Sequence, residues 1–96
     1  MTNTNGWGLG FTKVDVEKNE FESLLALDLG DEMNARSAFH TIASKFEKNH
    51  KPDVVIDLLD HNDDLIDDYP VTHEQARIIA SWFGHSLEPA KGEDTQ

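Results

Sequence analysis

Ala35, Phe39, Ile42, Ala43 and Phe46 stand at i, i+4, i+7, i+8 and i+11, the period of one buried helical stripe. Asp31 is a good N-cap for this segment, Glu32 suits its first turn, and Lys45 and Lys48 suit its C-terminal dipole. The pattern predicts a helix from Asp31 to about Asn49, closed off by Pro52. Before it, Phe21, Leu24 and Leu25 share a helical face behind an Asn19–Glu22 capping box, and Gly30 suits a left-handed C′ position. After it, Val54, Val55, Leu58, Leu59, Leu65, Ile66 and Tyr69 fall within an arc of roughly 140° at helical spacing. The β-branched residues of Val54–Leu59 also suit a strand, and a break near His61–Asn62 would give two short helices. The last helix has the plainest signals: Thr72 as cap, Gln75 completing the box, Val71 as staple, Ala76, Ile79, Ala80 and Phe83 as stripe, and Gly84 as stop.

Residues 1–10 read as a flexible tail of Asn, Thr and Gly, in which Trp7 either folds back on the core or meets a partner. Phe11–Val16 suits one short strand or an extended segment lying on helices. Residues 85–96 read as a disordered tail. The expectation is an all-α fold, a small four-helix bundle over residues 11–84 with a flexible tail at each end.

Charge changes this picture. Nineteen Asp plus Glu stand against eight Lys plus Arg, a net charge of −11 over 96 residues. That balance argues against direct binding to nucleic acid or to an anionic membrane and favours a basic partner. The charge is also uneven: residues 51–69 hold seven aspartates and a single lysine. On the helical reading, Asp53, Asp57, Asp60, Asp63, Asp64, Asp67 and Asp68 line the arc opposite the apolar one. Aspartate is a weak helix former, like charges one turn apart repel, and no Lys or Arg interleaves to offset them. Local rules broken together point outside the molecule, to a Lys/Arg groove that such a stripe would fill. The other readings are a solvated face that keeps a small protein in solution, and the even acidity of a halophile, which the near balance of the first fifty residues opposes.

Other chemistry finds little footing. Asp60, Asn62 and Asp64 match the opening of a calcium loop, but Leu65 and Val71 stand where Gly and Glu are needed. His40, His50, His61, His73 and His85 form no metal-binding pair and read as surface or helix-end residues. No cofactor, metal or catalytic site is expected, and Gly6, Gly8 and Gly10 lack the strand and helix of a phosphate loop. With no cysteine, disulfides and thiolate zinc sites are out. Without a basic apolar leader or a long apolar run, the expected location is the cytoplasm. Gln75–Ser86 resembles the first helix and turn of a helix-turn-helix, but Leu87, Glu88, Pro89 and the acids beyond cannot fill a major groove.

Asp64-Leu65-Ile66-Asp67-Asp68-Tyr69-Pro70 resembles a signature of the nuclease-colicin immunity proteins, which are small, acidic and helical. The likeness spans seven residues, has an acid in place of one of the family's paired tyrosines and carries one extra residue. In size, charge and lack of a catalytic motif, the chain is similar to phage-encoded anti-defence inhibitors, including anti-CRISPR and anti-restriction DNA mimics. The sequence therefore points to a non-enzymatic inhibitor that binds a basic nucleic-acid-binding protein through the seven aspartates, with Tyr69 and Trp82 or Trp7 as apolar anchors. The alternatives are an adaptor using an apolar helix face and a nuclease-immunity type of protein.

Overall fold

The computed structural model describes residues 6–15 and 17–87. It corrects the all-α expectation: the fold is α+β, an antiparallel four-stranded sheet with two helices. The strands are β1 (Trp7–Asp15), β2 (Glu20–Gly30), β3 (Val54–Leu59) and β4 (Leu65–Val71). Helix α1 (Glu32–Lys45) joins β2 to β3, and α2 (His73–Trp82) follows β4. Across the sheet the order is β2-β1-β3-β4.

Two of the expected helices are present, and their caps explain why. Asp31 accepts a hydrogen bond from the Asn34 N–H at 2.8 Å, and α1 buries Ala35, Phe39 and Ile42. It stops at Lys45, short of Asn49. Thr72 accepts from the Gln75 N–H and the Gln75 side chain accepts from the Thr72 N–H, both at 3.0 Å, so two orphan donors of α2 are satisfied reciprocally.

The other two expected helices are strands. In Glu20–Gly30, Leu25, Leu27 and Leu29 alternate with Ala26 and Asp28, a period of two that outcompetes the helical spacing once β1 offers a partner. A register shift opposite Phe11/Thr12 inserts Leu24, so that Leu24 and Leu25 both pack on the core. Asn19 does not cap a helix; its φ of +55° places it in the β1–β2 turn, a conformation that Asn tolerates better than most residues. Gly30 is left-handed as anticipated, at φ +92°, but it ends a strand.

The segment Pro52–Tyr69, read as helical in one or two pieces with a strand at Val54–Leu59 as the alternative, is the β3–β4 hairpin. Val54, Ile56 and Leu58 are buried while Val55, Asp57 and Leu59 are half-buried, the alternation of a strand with one covered face. The acids at 60 and 63 serve the turn. Asp60 Oδ1 accepts the N–H groups of Asn62 (2.8 Å) and Asp64 (3.0 Å), and Asp63 sits at φ +64°.

β1 begins at Trp7, inside the segment expected as tail, and Leu9 and Phe11 are fully buried. Gly8 lets β1 and β2 close up, since a Cβ there would lie 1.9 Å from the Leu27 carbonyl oxygen. Leu9, Phe11, Leu27, Val54, Ile56, Leu58, Tyr69 and Val71 meet Ala35, Phe39 and Ile42 of α1 and Ala76, Ile79 and Ala80 of α2 in one core. Register places the strand members on one pleat: Leu9 opposes Leu58 and Leu27, and Phe11 opposes Ile56, which opposes Tyr69. Both helices therefore cover the same face, and the other pleat has no layer over it among the described residues. Of the expected tail at residues 85–96, Leu87 packs against the core, and residues 88–96 lie outside the described residues, as do residues 1–5.

Candidate partner-binding site

The aspartates expected on one helical stripe are distributed by the hairpin. Asp53 precedes β3 and is structural: its carbonyl accepts from the Val14 N–H (2.9 Å), its N–H donates to the Val71 carbonyl (3.1 Å), and Oδ2 accepts from the His73 N–H at the start of α2 (3.2 Å). It lies at the opposite end of β3 from the turn, roughly 20 Å away at strand rise. Asp60, Asp63 and Asp64 cluster in the exposed β3–β4 turn. Asp67 and Asp68 are exposed on β4 and point to opposite pleats, Asp67 opposing Leu58 and Asp68 opposing Asp57. The structure thus gathers six of the seven on one hairpin, though not on one face.

Asp57 has the most unusual surroundings. It stands mid-sheet on the helix-free pleat, between Gly10 of β1 and Asp68 of β4, and accepts a hydrogen bond from Thr12 Oγ1 at 3.1 Å. Partial burial pushes its carboxyl above the ordinary value; the Thr12 hydrogen bond opposes this, and repulsion from Asp68 adds to it. Asp60 shifts the other way, because the N–H groups of Asp64 and Asn62 stabilise its carboxylate.

Tyr69 is a core residue, 7% exposed. Its hydroxyl donates to the Phe46 and Ala43 carbonyls, and its ring meets Phe39 edge-on at 6.2 Å. Trp7 is folded back, with the Arg36 guanidinium 5.3 Å from its ring centroid. Trp82 stacks on Phe46 at 5.8 Å and stays 41% exposed. Of the expected aromatic anchors, Trp82 presents the most open surface.

Two features escaped the sequence. A groove of about 260 Å³ runs between α1 and the β4 edge, with Arg36, His40, Lys48 and Asp67 among its lining residues. Thr12, Val55 and Leu59 flank Asp57 on the open pleat, and only the strand register shows them to be neighbours. His73, expected as a surface or helix-end residue, stands at the start of α2 and is buried rather than on the surface.

No family model, curated protein or solved structure matches the chain. Residues 65–70, within the colicin-immunity likeness, lie in β4, so that likeness does not extend to a helical fold. Among the described residues, no group of three or more His, Cys, Asp or Glu side chains is placed to hold a metal ion. Among the described residues, no helix is long and apolar enough to cross a membrane. The arrangement sets carboxylates on a hairpin with an apolar sheet surface beside them.

Proposed function

We propose that this protein is a small acidic, non-enzymatic inhibitor that occupies the basic nucleic-acid-binding surface of a larger protein, in the manner of anti-CRISPR or anti-restriction DNA mimics. The observation that carries this reading is the β3–β4 hairpin: Asp57, Asp60, Asp63, Asp64, Asp67 and Asp68 stand on it with no Lys or Arg in residues 52–71. Asp57 and Asp68 stand directly opposite each other across β3 and β4, which puts their Cβ atoms roughly 4.5–5.5 Å apart. The turn hydrogen bonds hold Asp60 and its neighbours in place before binding, which lowers the ordering cost of association. The action is assigned to the cytoplasm, where such targets work.

Immobilised protein exposed to a nuclease-treated lysate of the producing cells at low salt tests this. The expected result is capture of a basic protein that duplex DNA or RNA displaces and whose affinity falls steeply between ~50 and ~200 mM salt. A partner indifferent to nucleic acid and to salt would overturn the reading. It would favour an adaptor instead, for which Ile78 and Trp82, one turn apart on α2 and each 41% exposed, are the supporting observation.

A further inference from the structure

We propose that the helix-free face of the sheet is the docking surface for a protein partner that lays an apolar strip on it and brings an arginine or lysine onto Asp57 and Asp68. The inference rests on the basic partner proposed above and states where its cation lands.

The face is open because every strand residue of the core belongs to the other pleat and both helices lie there. On the open pleat Val55 and Leu59 flank Asp57 along β3, Val14 extends β1, and Pro70 and Leu65 stand opposite Val55 and Leu59 on β4. The result is an apolar surface with a carboxylate pair inside it. Its charged positions among the described residues are Asp28, Asp57 and Asp68, with no Lys or Arg. Charge complementarity therefore calls for a cation.

The same positions exclude a second copy as occupant. A two-fold contact through this face would bring two Asp57–Asp68 pairs together in a drying interface, with no Lys or Arg among the face's described residues to separate them. Nucleic acid is excluded by the same sign of charge. Covering Asp57 with apolar atoms alone would complete its desolvation, which burial already makes unfavourable for the charged form. A guanidinium placed across the two strands satisfies both carboxylates with paired N–H donors, a geometry that suits arginine better than lysine.

The test uses the full chain, ¹⁵N-labelled, titrated with a capped eight-residue peptide of alternating Arg and Val, and with a Glu–Val peptide as control. The Arg–Val peptide is expected to move the amide resonances of Thr12, Val55, Asp57 and Asp68. The double substitution Asp57→Asn, Asp68→Asn should weaken it about tenfold, as for close charge pairs across an interface. Val55→Ser, which changes no charge and touches no core residue, should weaken it about threefold. Absence of shifts at those four amides, shifts confined to residues 60–64, or indifference to Val55→Ser each overturns the docking face. So does movement of the same resonances when the chain alone is concentrated, the signature of self-association. Should the double variant lose its dispersed spectrum, the peptide map and Val55→Ser still decide. A map on residues 60–64 would overturn the docking face and leave the inhibitor reading standing. A captured partner that nucleic acid cannot displace would overturn the inhibitor reading and leave the docking face standing.

Discussion

The two pleats of the sheet are made by the same four strands and differ in nearly every property. One holds Leu9, Phe11, Val54, Ile56 and Leu58 at 1% exposure or less against two helices. The other alternates with it residue by residue and carries Thr12, Val55, Asp57, Leu59 and Asp68, half-buried or open. In a strand, adjacent residues therefore do unrelated work: Ile56 and Leu58 hold the fold, and Asp57 between them is placed where it costs the fold and gains it little. Stability and the proposed docking are separated by a period of two rather than by distance along the chain.

The largest break in this comparison should come from Ile56→Ala set beside Val55→Ala. Removing the fully buried side chain is expected to cost about 2–5 kcal/mol, while its half-buried neighbour on the open pleat should cost well under about 1 kcal/mol. Urea unfolding monitored by circular dichroism reads both, and equal losses would mean that the open pleat is covered in solution. Gly8→Ala should come next, at about 1–3 kcal/mol, because β1 and β2 must part to admit a Cβ against the Leu27 carbonyl. Loss of β1–β2 amide protection in hydrogen exchange would locate that damage.

The smallest effect is the sharpest. Asp57 holds its proton more tightly folded than unfolded, so its contribution to stability declines as pH climbs through the window above the unfolded carboxylate value. Asp60 has the opposite shift, so its contribution is present above that value and is lost as pH falls through its own lower range. From about pH 3 to about pH 6, the urea midpoint of Asp57→Asn relative to the parent should rise, and that of Asp60→Asn should fall. Parallel slopes would refute the assignment of opposite environments to two aspartates three residues apart.

Both helices were legible because their signals are local. Asp31 and the Thr72–Gln75 box act within one turn, and the stripes behind them have no competing period. The sheet was not, because its decisive partner lies elsewhere in the chain. Phe21, Leu24 and Leu25 fit a helix by spacing, and only the inserted residue opposite Phe11/Thr12 explains why strand residues show that spacing. In residues 54–69 the aspartates that opposed a helical stripe are two strand pleats plus a turn, and a 100° wheel maps all three onto one arc. The acidic bias of the candidate site was visible from composition. Its geometry was not, since Thr12 and Asp57 are 45 positions apart and meet through pairing.

The β4 edge carries Pro70 one residue before its end, whose carbonyl accepts the Asn49 N–H at 3.1 Å, while Asp67 Oδ1 takes the Asp68 N–H at 2.8 Å. A residue whose carbonyl points outward also directs its nitrogen outward, so the missing proline proton falls where an added strand would need it. At the far side, β2 runs eleven residues without a proline. Strand addition is thus opposed at the β4 margin, and no proline opposes it along β2.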